Sequence, residues 1–266
     1  MRTFKILAAL AAVALPLAAI AKDEALAKAV AGTHRAPGFV ERDAARHPVA
    51  VLEFAGIKPN MTVVEISPGG GYWTEILAPY LHERGTYYTA IAPRALSERA
   101  AAAADNWRKT LDANKAVYGN VKVSDFGRDS FNVAPAGTAD LVLTFRNVHN
   151  WMAQGYAEQA FVGFYNALKP GGVLVVEEHR ARTDQPQDPK AASGYVREDY
   201  TIGLAEKAGF KLAGRSEALA NPKDTKDWPG GVWTLPPTLR LGEQDRAKYQ
   251  AIGEADNFLL KFQKPK

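Results

Sequence analysis

Short apolar runs alternate with longer amphipathic stretches along the chain, and the change of period sets the expected elements. Residues 63–66, Val-Val-Glu-Ile, are an apolar run with one acid, of the length and composition of a buried parallel strand. The run meets Pro68 and then Gly69, Gly70 and Gly71. Tyr72, Ile76, Leu77 and Leu81 follow at helical spacing, which predicts a helix over 72–81. Further strands are predicted at 86–91, 121–123, 139–145, 173–176, 211–216 and 257–262. Helices are predicted at 40–55, 95–114, 154–168 and 195–208, while 23–30 reads as a short helix or a frayed end. Prolines scattered over 219–243 suit neither helix nor sheet, so that stretch is expected to be irregular. Strands alternating with helices argue for an open parallel sheet with helices on both faces.

The first 21 residues follow a different pattern. Arg2 and Lys5 give a positive start, 6–20 is almost unbroken apolar sequence, and Ala19-Ile20-Ala21 fits a small-x-small cleavage site. A spanning helix needs ~20 apolar residues, and this run is shorter and interrupted by Pro16. The expectation is a signal peptide over 1–21 and a single domain over 22–266 with an irregular segment near 219–245. It implies a periplasmic or secreted protein with no stable membrane insertion after cleavage. Cleavage removes Arg2 and Lys5 from a net charge of +4, and what remains is too small a surplus to argue for nucleic acid. The chain has no cysteine, which excludes disulfides, thiolate-bound metals and a lipidated N-terminal cysteine.

A strand, a glycine-rich turn and a helix start make a cradle in which backbone N–H groups face a ligand. Two other stretches carry candidate chemistry. Arg146-Asn147-Val148-His149-Asn150-Trp151 follows the fourth strand, at the edge where open α/β sheets bind ligands. Asn147 and His149 are expected to face the reacting groups, with His149 as a general base at neutral pH or in a structural role. Glu177, Glu178, His179 and Arg180 end the fifth strand in the same crevice. Two acids and a histidine invite a metal reading. Adjacent strand residues point to opposite faces, however, so no complete metal-ligand set is expected.

The order of these signals resembles the class I methyltransferases that use S-adenosylmethionine (SAM). Glu65-x-Ser67-Pro68-Gly69-Gly70-Gly71 looks like their acid-x-Gly-x-Gly-x-Gly loop, with Ser67 in place of the first glycine. Leu168-Lys169-Pro170-Gly171-Gly172 is similar to their turn ahead of strand five, and Asp140-Leu141-Val142 to their strand four. Glu-x-Ser-Pro-Gly-Gly-Gly-Tyr, an Ala-Gly-Phe before strand six and a closing Phe-x-Leu-Lys-Phe resemble a group of exported, predicted methyltransferases. A nicotinamide-binding fold explains less, since its third small residue falls on Thr74 and the Lys-Pro-Gly-Gly turn is left over.

The resemblance implies a Rossmann-like seven-stranded methyltransferase sheet, mostly parallel with the last strand antiparallel. It implies SAM as cofactor, methyl transfer to a small-molecule acceptor, and Glu65 on the SAM amino group. Ser67, Gly69, Gly70, Gly71 and Tyr72 would line the cofactor site together with Arg146. Asp125 would meet the adenine amino group and Phe126 stack on the ring. His149 or His179 would take the acceptor's proton. The acid that usually binds the ribose hydroxyls is replaced by Ala92, with Arg94, Ser97 and Glu98 nearby as substitutes. That departure, and a cytosolic cofactor facing an exported chain, leave a second expectation open: an exported, non-catalytic ligand-binding protein on the same fold.

Overall fold

A computed structural model describes residues 23–266. The signal peptide expected over 1–21 lies outside the described residues. Seven strands form one sheet: β1 (Thr62–Ile66), β2 (Thr86–Ile91), β3 (Val121–Asp125), β4 (Ala139–Phe145), β5 (Leu168–His179), β6 (Lys211–Ser216) and β7 (Asn257–Gln263). Their order is β3-β2-β1-β4-β5-β7-β6. The first five are parallel, and β7 is antiparallel to both β5 and β6. This is the mostly parallel sheet with an antiparallel last strand that the resemblance implies.

Alternation along the central strands divides the core into two layers. Val64, Ile66, Val142, Leu174 and Val176 pack with Trp151, Phe161 and Phe164. Val63, Leu141, Leu143 and Val175 pack with Ile76, Leu77 and Trp107 on the opposite face. Carried one step further, the same alternation sends Glu177 to the second layer and Glu178 to the first. Two consecutive acids on one strand thus meet different partners.

The helix predicted over 40–55 is broken into Pro37–Val40, Asp43–Arg46 and Pro48–Ala55. Proline disfavours helical backbone in the residue before it, and His47 turns left-handed at φ 40 ahead of Pro48. The segment is pinned by Asp43, which accepts two hydrogen bonds from Arg35 (2.6 and 2.8 Å) and one from Tyr72 Oη (2.6 Å). Two helices stand after β4, Val148–Gln154 and Ala157–Ala167, parted at Gly155, and the second is the helix predicted over 154–168. The first of these, absent from the predicted pattern, carries His149.

Within 219–245 the chain makes one short 3-10 turn, Gly231–Thr234, and is otherwise irregular. A buried carboxylate organises it. Asp224 accepts from Tyr195 Oη (2.9 Å), Trp228 Nε1 (2.7 Å) and the backbone N–H groups of Lys226 (2.9 Å) and Asp256 (2.8 Å). Tyr195, Val232, Leu235 and Tyr249 pack as a separate apolar cluster beside it. Among the described residues no helix is long and apolar enough to cross a membrane.

Candidate functional site

The carboxyl ends of β1, β4 and β5 open into a cavity of about 360 Å³. At the exit of β1 the chain turns sharply: Ser67 adopts φ 52 and its N–H donates to the Ala90 carbonyl (2.8 Å). Left-handed backbone costs an L-residue roughly 1–2 kcal/mol, so the residue that replaces a glycine keeps the glycine's conformation. Gly71 stands at φ 95, and a Cβ there would lie 3.3 Å from the Trp107 ring. Trp107 cannot easily give way, since its Nε1 donates to Thr89 Oγ1 (3.0 Å). Ser67, Pro68, Gly69 and Gly70 line the cavity and also a second one of about 500 Å³, bounded by Ile91, Ala92, Asn106 and Trp107. The turn is a ridge between two clefts.

Glu65 sits beneath the ridge, 1 % exposed. Its Oε2 accepts from Thr74 Oγ1 (2.7 Å) and from Tyr87 Oη, while Oε1 takes part in neither bond. Burial pushes its pKa up to about 7, against the pull of those two hydroxyls. Opposite lies Arg46, stacked on Tyr72 with 4.2 Å from guanidinium carbon to ring centroid. It is 5 % exposed, its Nε is buried without a partner, and its ion-pair contact is a long one, 3.8 Å to Glu177 Oε1. Burial, reinforced by the Arg146 charge, lowers the Arg46 pKa to about 10. The Oε2 of Glu177 is also buried and unpaired, and burial raises the pKa of that acid.

Arg146, the first residue beyond β4, adopts φ 61 and reaches Glu254 (2.8 Å) and Glu177 (3.5 Å). Arg42 shares Glu254 through two hydrogen bonds (2.7 and 2.9 Å). Two non-glycine residues in left-handed backbone thus flank the cavity mouth, as strained positions at functional sites do. Asn147 spends an Nδ2 hydrogen on the Ile66 carbonyl (3.1 Å) and ties β4 to β1.

His149 meets Glu178 across the sheet. Its Nδ1 stands 3.0 and 3.1 Å from the two carboxylate oxygens, and its backbone N–H donates to the same group (3.1 Å). Burial disfavours charge on this ring, but the Glu178 charge and hydrogen bond outweigh it and raise the pKa. Burial alone dominates at His179, whose pKa falls to about 3. The two rings lie 5.6 Å apart, and Trp233 packs edge-on to His149.

Of the residues singled out from the sequence, the cavity collects Glu65, Ser67, Gly69, Gly70, Tyr72, Arg146, Asn147, His149 and His179. Gly71 lines neither cleft, because its face is closed by Trp107. Asp125 and Phe126 line neither cleft either. Phe126 is 3 % exposed and packs against Trp151 and Phe164 in the core, so stacking on a ligand ring is corrected to a packing role. Two of the three substitutes considered for Ala92 are committed elsewhere: Arg94 pairs with Asp105, and Ser97 caps a helix through the Ala100 N–H (3.1 Å). The polar groups beside Ala92 are Asn106 and Thr110. Arg42, Arg46 and Trp233 also line the first cavity. Arg42 and Arg46 carry no signal of this in the sequence, where they read as charged residues on the polar side of a helix.

No family model matches the sequence, and no curated protein matches it. Solved structures match in fold. A SAM-dependent methyltransferase from Aquifex aeolicus aligns with a TM-score of 0.54 at 18% identity, covering 84% of this chain and 92% of that one. The [4+2]-cyclase SpnF gives 0.56 at 14% identity over 90% of this chain and 91% of that one. An arsenic(III) SAM methyltransferase from Chlamydomonas reinhardtii gives 0.50 at 16% identity over 91% and 73%. The chain has the Rossmann-like fold of the SAM-dependent methyltransferases.

Proposed function

We propose that the paired clefts form the active site of a SAM-dependent methyltransferase acting on a small-molecule acceptor. The ridge is the observation that carries this reading. Four turn residues separate a charged cleft from a largely apolar one, so a ligand with an amino-acid end and a nucleoside end has a compartment for each. The residues fit that ligand. Arg46, buried without a hydrogen bond at Nε, suits a carboxylate, and the unshared Oε1 of Glu65 suits an ammonium group. Ile91, Ala92 and Trp107 offer an apolar wall, with Asn106 as the polar group where an acid is missing.

SAM, when bound, supplies a methyl group on a positively charged sulfur. The protein supplies position and exclusion of water. Trp233, Pro236, Pro237 and Thr238 line the cavity from the irregular segment, on the side of His149. Glu178 orients the His149 ring, which is placed to receive a proton from an acceptor that carries one. The leader-like residues 1–21 support a periplasmic or secreted setting, testable by finding Lys22 at the N-terminus of the exported protein. The missing acid at Ala92, and an exported setting away from a cytosolic cofactor, stand on the side of a non-catalytic binder.

Calorimetric titration with S-adenosylhomocysteine and with 5′-methylthioadenosine, which lacks the amino-acid end, tests the assignment. A dissociation constant below about 100 µM for S-adenosylhomocysteine, near −5.5 kcal/mol, is expected. Arg46→Ala should weaken that ligand about 10- to 100-fold, as loss of a charge-assisted hydrogen bond does, and leave methylthioadenosine unchanged. No binding of S-adenosylhomocysteine would overturn the reading.

A further inference from the structure

β5 ends in Glu178 and His179, and the helix Val148–Gln154 brings His149 to them from the neighbouring strand. One donor atom from each of the three lies within 4.8 Å of the other two. All are buried, at 0 %, 9 % and 6 % exposure respectively. Alternation along β5 conceals this grouping, because its third member arrives after β4.

The surroundings of the rings are those of metal ligands. His179 Nδ1 lies 2.7 Å from Asn257 Oδ1, its register partner on β7. An amide oxygen only accepts, so Nδ1 holds the ring hydrogen and Nε2 keeps its lone pair. A histidine ligand is oriented in this way by a hydrogen bond on its other nitrogen. Glu178 is fixed in turn by the backbone N–H groups of His149 (3.1 Å) and His179 (2.8 Å). Metal–ligand bonds of about 2.0–2.2 Å place neighbouring donors on a tetrahedral ion roughly 3.3–3.6 Å apart. The His149 Nδ1 to Glu178 separations, 3.0 and 3.1 Å, are hydrogen-bond distances a few tenths of an ångström short of that spacing, so an ion that replaces the bridging proton parts the two groups only slightly. Two imidazoles and one carboxylate suit zinc and its neighbours, whereas magnesium and calcium take oxygen ligands.

We propose that His149, Glu178 and His179 bind one divalent transition-metal ion of the zinc type, with an open position toward the cavity that His149 and His179 line. The site stands beyond the methyltransferase reading and does not require it, and with an ion bound His149 is a ligand and no longer the group that receives the acceptor's proton. Three protein ligands and an open position are the arrangement of a catalytic rather than a structural zinc site.

The test uses tag-free protein, stripped with a chelator and titrated with Co²⁺ and with Zn²⁺. Visible d–d bands of a four- or five-coordinate Co²⁺ centre, saturating at one ion per chain and displaced by Zn²⁺, are expected. His179→Ala should abolish the bands. Asn257→Leu, which keeps all three ligands, should weaken Zn²⁺ about 10- to 100-fold, as loss of an orienting partner does. Circular dichroism of each variant separates ligand loss from misfolding. Parent protein without bands and without Zn²⁺ heat would overturn the proposal, as would bands that survive His179→Ala in a folded variant. S-adenosylhomocysteine binding by metal-free protein keeps the two readings separable: binding there with no metal site removes this proposal alone, and a metal site with no such binding removes only the other.

Discussion

Glu65 and Glu177 are carboxylates at the ends of parallel strands, buried to 1 % and 2 % exposure, yet their situations differ. Glu65 is served by two hydroxyls, Thr74 and Tyr87, on elements that follow β1 in the chain. Glu177 has an oxygen with no partner and faces Arg46 at 3.8 Å, beyond hydrogen-bonding reach. An unpaired buried polar group costs about 1–3 kcal/mol, more when charged. Folding alone gives no reason to keep two such groups side by side. The β1 exit is the finished end, with one carboxylate oxygen held by two hydroxyls, and the β5 exit is the open end, with unpartnered polar atoms on both Glu177 and Arg46.

The largest expected effect lies at the finished end. Glu65 holds a proton up to about pH 7 in the native protein, against an ordinary value of 4.5. The unfolded chain releases that proton first, so the contribution to stability is complete below pH 4.5 and is lost as pH rises through 7. The loss is about 3 kcal/mol. Urea unfolding across that range should show the decline, and Glu65→Gln should flatten it. An unchanged slope in the variant would place the titration elsewhere.

At the open end the expected sign is reversed. Arg46→Met combined with Glu177→Gln should leave stability unchanged or raise it by about 2 kcal/mol, because uncompensated buried charge is removed. The same double variant should lose S-adenosylhomocysteine affinity. Denaturation midpoints and calorimetry on one preparation check both, and a clear loss of stability would show that the pair belongs to the scaffold after all.

Backbone supplies the smaller tests. Gly71→Ala places a Cβ against Trp107 at left-handed φ and should cost between about 1 and 2 kcal/mol. Ser67→Gly relieves a left-handed residue and should raise the melting temperature slightly, by up to about 1 kcal/mol of stability. A fall in either direction of that ridge, with ligand binding unaltered, would mean that the turn is structural on both sides.

Much of the fold is legible because its signals are local. Gly69, Gly70 and Gly71 after an apolar run mark a turn wherever they occur, and Val173 to Val176 reads as a buried strand without any knowledge of its neighbours. The site is less legible. Phe126 has the residue type of a stacking platform and the position of a core residue, and nothing within a few positions separates the two. Asp224 looks like any acid in a proline-rich loop until Tyr195, Trp228 and Asp256 close on it. Arg46 shows no sign of burial in a stretch that reads as the polar side of a helix.

Residue periodicity by itself determined the succession of the strands, the turn after β1 and the edge of the sheet at which the two clefts open. Those properties depend on which residues can leave water, and that is decided within a few positions along the chain. Tertiary structure decided which buried charge meets which partner: Glu178 with His149, Glu177 with Arg46, Glu254 with both Arg42 and Arg146. Coulomb and hydrogen-bond energies act through a few ångströms of space and take no account of distance in sequence.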